Sequence, residues 1–100
     1  MKNHKLLHIK KSTRSGKKRM AVFENLETGR TKTIHFGAAG MSDYTIHKDK
    51  ERKKRYLARH KSRENWNNPI TAGALSRWIL WNKPSYRESV NDYKRRFKFK

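Results

Sequence analysis

Few residues in this chain have side chains suited to acid–base or metal chemistry. The histidines are His4, His8, His35, His47 and His60, and Asp43, Asp49, Glu51, Glu64 and Glu88 are among eight carboxylates. His35, His47 and His60 would have to meet in space to bind a metal, with no cysteine to help them. A nuclease would need Asp43, His47 and Asp49 around a Mg²⁺ ion in a pocket. In a chain this small and this charged, the plainer chemistry is structural. Asp43 and Asp49 flank a stretch that leaves a strand and starts a helix, where a carboxylate accepts backbone N–H groups. These acids and Glu64 also suit arginine partners such as Arg52, Arg59 and Arg77. Gly37-Ala38-Ala39-Gly40 is not a phosphate loop, because no Gly-Lys-Ser/Thr follows it. No catalytic residue, metal or cofactor is assigned.

The basic residues point to a partner. Residues 48–63, KDKERKKRYLARHKSR, hold nine Lys or Arg against Asp49 and Glu51. That is too few acids for i,i+4 pairing to neutralise the run. A polyanion would relieve the repulsion and release its own counterions. The expected contact residues are Lys48, Lys50, Lys53, Lys54, Arg55, Arg59, Lys61 and Arg63, joined by Lys94, Arg95 and Arg96 near the C-terminus. Trp66, Trp78, Trp81, Tyr86 and Tyr93 offer rings on which bases stack. A chain poor in Ile, Leu and Val is nonetheless expected to use such rings as core. Asp43, Asp49, Arg52, Tyr56, Trp66, Trp78 and Trp81 are therefore expected in structural roles. No RNA-recognition, zinc-finger, KH or heptad pattern supports base readout, so the expected contact is to phosphates without sequence preference.

The composition agrees. Lys and Arg number 27 against 8 Asp and Glu, a net charge of +19 on 100 residues. Apolar residues make up 33% of the chain, below the ~45–50% of ordinary domains, so the core must be thin. No run approaches the ~18 apolar residues of a membrane span. The start, MKNHKLLHIKK, lacks the apolar core and cleavage site of a secretory signal. With no cysteine there is no disulfide framework, and an intracellular or virion-interior location is expected. Residues 34–47 form a nearly neutral window, with Asp43 their one charged side chain when histidine is neutral.

These residues need elements to hold them. Leu6–Ile9 and Met20–Phe23 are short apolar runs, Glu27–Arg30 is a turn, and Thr31–Phe36 alternates. They predict a three-stranded antiparallel meander over 1–36. Residues 37–47 are expected as a glycine-containing loop. A basic helical region is expected over 48–100, beginning with a helix capped by Asp49 and ended by Asn67-Asn68-Pro69. A second helix, from Thr71 or Ala72 to Trp81, would bury Leu75, Trp78 and Ile79. Ser85 and Glu88 form a capping box for a third, with Tyr86, Val90, Tyr93 and Phe97 as its stripe. The expected fold is a single α+β domain, a small meander followed by two or three helices.

Segments 36–66 and 71–85 also resemble a family of small basic proteins of large double-stranded DNA viruses of eukaryotes. The pattern is carried by Phe36, Gly37, Asp43, Tyr44, Thr45, His47, Lys48, Asp49, Arg52, Lys53, Tyr56, Arg59, His60, Glu64 and Trp66. It continues through Thr71, Ala72, Gly73, Ser76, Arg77, Trp78, Leu80, Trp81, Asn82, Lys83 and Pro84. Ala39 stands where the pattern carries a long or polar residue. The resemblance implies a viral setting and assigns no site.

Together these readings lead us to expect a non-enzymatic basic virion protein, located in the virion interior and intracellular in the infected host. It would bind DNA through the phosphate backbone, for genome packaging or for tethering genome to shell. The alternative is a minor capsid or cement protein whose basic faces meet acidic surfaces of capsid proteins, with Phe97 and Phe99 as anchors in a neighbour. No small-molecule substrate and no membrane span are expected.

Overall fold

The computed structural model describes residues 3–99. Met1 and Lys2 of the expected meander, and Lys100 of the expected helical region, lie outside the described residues. Strands β1 (His4–Lys11), β2 (Lys17–Asn25) and β3 (Thr31–Ala38) form an antiparallel sheet in the order β1-β2-β3. The α+β architecture is as the sequence predicts. The β2–β3 turn is set by Asn25, whose Oδ1 accepts from the backbone N–H of Glu27 and Thr28, and by Gly29 at φ 74°.

One irregularity decides how the thin apolar content of β1 is used. Leu6 pairs with Phe23 and Ile9 with Ala21, although Leu6 to Ile9 is a step of three residues on β1 and Phe23 to Ala21 a step of two on β2. A bulge between Leu6 and His8 absorbs the extra residue. Leu6 and Ile9 therefore share the core face, while Leu7 is left 40% exposed. The bulge also sends His4 and His8 to opposite faces. Their i,i+4 spacing would bring two rings together on a helix, but here it does not.

Four helical segments follow: α1 (Tyr44–His47), α2 (Lys50–His60), α3 (Ala72–Leu75) and α4 (Tyr86–Arg96). The stretch expected as a loop over 37–47 is thus shorter than the sequence reading made it. Strand β3 takes Gly37 and Ala38, and α1 takes the last four residues. The signal for α1 was Asp43, which caps it through a hydrogen bond from Thr45 N–H at 2.9 Å. Helix α2 is shorter too, ending at His60 rather than at Asn67. A full turn of Lys61–Arg63 follows it, outside the helix proper. The second expected helix forms as α3 and runs on through a π-helical turn, Ser76–Leu80, closed by Trp81 N–H to the Ser76 carbonyl at 3.0 Å. Ser85 caps α4 by accepting from Glu88 N–H.

The core lies between the sheet, α3 with its π turn, and α4. Ala21, Phe23, Phe36, Leu75, Ile79 and Tyr93 are fully buried. The Tyr93 hydroxyl donates to the Pro69 carbonyl at 2.7 Å, which satisfies the one polar atom this ring brings inside. The tail corrects an expectation. Lys98 adopts a left-handed φ of 59° and returns Phe99 onto Phe23 and Tyr93, each at 5.5 Å between ring centroids. Phe99 is buried and Phe97 half-buried against Trp78 and Tyr93, so neither projects as an anchor. Among the described residues no helix is long and apolar enough to cross a membrane.

Trp78 is also corrected, from core to rim. It is half-buried, and its Nε1 donates to the Trp66 carbonyl at 3.0 Å. The guanidinium carbons of Arg77 and Arg96 lie 4.1 and 3.9 Å from its ring centroid. Trp78→Ala is accordingly expected to cost about 3 kcal/mol, the low end for a large aromatic. Urea unfolding measures this. A variant as stable as wild type would remove Trp78 from the fold's support.

Candidate nucleic-acid interface

Helix α2 turns its charge outward because its inner face is fixed by two residues. Tyr56 is buried, and Lys53 is drawn in to donate to the Asn82 carbonyl at 2.7 Å. Helical spacing then places Arg52, Arg55 and Arg59 along one flank and Lys50, Lys54 and Lys61 along the other. All six are exposed, as is Arg63 beyond the helix. Glu51 is the one acid among residues 50–61, and it sits in the first turn where the helix dipole favours it. Among the described residues, no Lys or Arg of α2 is held in an ion pair.

Two of the expected contact residues have other work. Lys48 is the left-handed residue closing α1, and its ammonium donates to the carbonyls of Thr45 and Pro84, at 3.0 and 2.8 Å. Lys53 also lies over the Tyr44 ring at 5.0 Å. Burial, then the neighbouring Arg77, Lys83 and Lys50, push its pKa down. Together these lysines clamp the 82–84 segment onto α1 and α2. Arg52 moves the other way: expected as structural, it is exposed, and its backbone N–H alone engages Asp49.

The acids act as structure, with partners the sequence did not name. Buried Asp43 accepts from Lys18 at 2.6 Å and from the Thr45 N–H and hydroxyl. It binds no arginine. Asp49 caps α2 through Glu51 N–H and Arg52 N–H, and donates its own backbone N–H to His47 Nδ1 at 2.9 Å. Burial and then Arg52 push the His47 pKa down. Glu64 accepts from Trp66 Nε1 at 2.8 Å and meets His60 Nδ1 at 3.3 Å. Among the described residues, no three His, Asp or Glu side chains converge where a metal ion would sit. We expect Asp43→Asn to cost about 2–4 kcal/mol, because Lys18 loses its charge partner in a mostly buried setting. Asp49→Asn should cost only a few tenths, since Asn caps as well as Asp. Parallel denaturation of the two variants checks this, and equal losses would refute it.

At the C-terminus, Lys94 is half-buried beside β1. Arg96 lies on Trp78 and reaches Asp92 at 3.4 Å, and exposed Arg95 reaches the same carboxylate at 3.6 Å. Arg95 is therefore the most open of the three. Arg77, half-buried, donates to the Trp81 carbonyl at 3.0 Å instead of to an acid.

A cleft of about 420 Å³ separates α2 from α3 and the 38–43 loop. One wall is a column of rings: His60 stacks on Tyr56 and Tyr56 on Trp81, each pair 4.2 Å apart, the second nearly parallel at 3°. Burial raises the Tyr56 pKa strongly. Two glycines shape the cleft. A Cβ on Gly37 would stand 2.7 Å from Leu80 Cδ1, and one on Gly73 would stand 3.0 Å from Glu64 Cδ. A second groove, of about 390 Å³, adjoins it at the end of the β1–β2 hairpin. Lys11, Lys17, Lys18 and Arg19 line this groove. Sequence reasoning did not place these four at the interface. The signal was present: Lys10-Lys11 and Lys17-Lys18-Arg19 flank one turn, and antiparallel pairing sets Lys11 opposite Arg19.

A family model described as a family of unknown function (DUF5754) matches residues 7–60, most of the meander together with α1 and α2. No curated protein and no solved structure matches the chain.

Proposed function

The chain belongs to the DUF5754 family, and we propose that it is a non-enzymatic protein that binds DNA through the phosphate backbone without sequence preference. The observation that carries this is the outer surface of α2, where six exposed cations stand in two rows with no ion-pair partner among the described residues. Such rows repel one another in the free protein and are relieved by a polyphosphate. The resemblance to proteins of large DNA viruses supports a setting in the virion interior, within the infected cell, with genome packaging or genome–shell tethering as the task.

One observation favours the minor-capsid reading as a second choice. Met41 and Ile46 are 65% and 62% exposed in the neutral window, and an acidic capsid surface with apolar pockets would suit them and their basic surroundings. The two readings separate in a salt titration with random-sequence duplex DNA. If about 6–8 phosphates are contacted, log K falls against log[salt] with a slope of about −5 to −7. A flat response, or no binding at low salt, would overturn the DNA reading.

A further inference from the structure

We infer that the cleft under α2 and the groove at the hairpin end form one track that holds single-stranded DNA. This rests on the DNA reading above and names the form of DNA this part of the molecule takes. The two cavities lie side by side, with Lys17, Lys18, Asp43 and Leu80 lining both. Their volumes, about 420 and 390 Å³, fall in the ~300–1,000 Å³ range of small-ligand pockets, which is the scale of nucleotide units.

The charges suit a strand. Among the described residues, Lys11, Lys17 and Arg59 line the track and carry no ion pair. Two acids among the described residues face it, Asp43 paired with Lys18 at 2.6 Å and Glu64 hydrogen-bonded by Trp66 Nε1 and His60, against five cations, Lys11, Lys17, Lys18, Arg19 and Arg59. What remains for a ligand is therefore positive. The aromatic content suits bases. Tyr56 covers one face of His60, and the His60 side chain remains 35% exposed. His60 is the end of a three-ring column, which a base would extend by one layer. Stacking of this kind tolerates any base, and paired bases in a duplex do not offer their faces to it. Arg59 links this track to the arginine flank of α2, so a duplex on the helix and a strand in the cleft would share one cation.

The test uses the wild-type protein and a short mixed-sequence single strand substituted with iodouracil. After irradiation, cross-linked residues are mapped by mass spectrometry. Cross-links to His60 or Trp81 are expected, and none there with the matching duplex. Affinities of Lys17→Glu and His60→Ala, with folding checked by circular dichroism, give the second measurement. Each is expected to weaken single-strand binding roughly tenfold and duplex binding by less than about twofold. If wild type binds duplex but cross-links only outside the cleft, or if both variants weaken the two forms equally, the track is overturned while the DNA reading stands. If wild type binds neither form, both fall.

Discussion

Reversing three charges on the outer surface of α2 is expected to abolish most DNA binding while leaving the fold intact. The variant is Arg52→Glu, Lys54→Glu and Arg55→Glu. All three side chains are exposed, so their loss opens no cavity and leaves no buried partner stranded. Arg52 lies in the first turn of α2, where an acid is favoured by the helix dipole. Each reversal changes the charge by two, taking the protein from +19 to +13. A protein making about 6–8 phosphate contacts loses some 10³–10⁴ in affinity between 50 and 200 mM salt; without three of them the loss falls to about 10², and the slope flattens by about 2.7. Lys53 is left out deliberately, because its ammonium is committed to the Asn82 carbonyl. Lys53→Glu should lower stability, which the triple variant should not. Fluorescence anisotropy against salt, beside thermal melting, makes the comparison. An unchanged slope in a folded triple variant would move the DNA contact away from α2.

How much of this was legible follows from the physics of each element. The meander and α4 could be read directly, because strand alternation, turn chemistry and the Ser85–Glu88 cap are local. The rows of α2 were legible as charge but not as geometry. Its inner face is chosen by Tyr56 packing on Trp81 and by Lys53 reaching Asn82, both contacts with residues more than twenty positions away. A lysine run carries no mark of which member will be drawn inside. The bulge at Leu7 was hidden for a related reason: Leu6-Leu7-His8-Ile9 fits neither period two nor 3.6, and only pairing with β2 resolves it. Asp43 was recognised as a cap but given the wrong cation. Arginines lay near it in sequence, whereas Lys18 arrives from β2 through the sheet. The hairpin groove was missed because two basic clusters separated by a turn read as two surface patches until antiparallel pairing merges them.

The pattern around Phe36-Gly37 has a physical explanation that yields the largest stability effect expected of a single methyl group. Gly37 has φ 80°, and its Cα lies where β3 meets the π turn and β2. Alanine there meets two separate obstacles. The left-handed backbone costs a side chain roughly 1–2 kcal/mol. The added Cβ would also stand 2.7 Å from Leu80 Cδ1 and 3.3 Å from Lys18 Cβ. Leu80 is buried, so its side chain has little room to withdraw, and overpacking of this kind costs about 1–3 kcal/mol. The sum is a large part of the 5–15 kcal/mol that holds a domain folded. Gly29 supplies the control: its φ is 74°, and nothing lies within 4 Å of its absent Cβ. Gly29→Ala should therefore show the backbone cost alone, and Gly37→Ala should exceed it in urea midpoint at unchanged slope. Introducing Leu80→Ala removes the atom in the way. In that background the further cost of Gly37→Ala should fall toward that of Gly29→Ala, staying above it only by what the Lys18 Cβ contact at 3.3 Å adds, even though Leu80→Ala is itself destabilising. If Gly37→Ala proves no worse than Gly29→Ala in the wild-type background, the close approach between β3 and the π turn is not what requires glycine at this position.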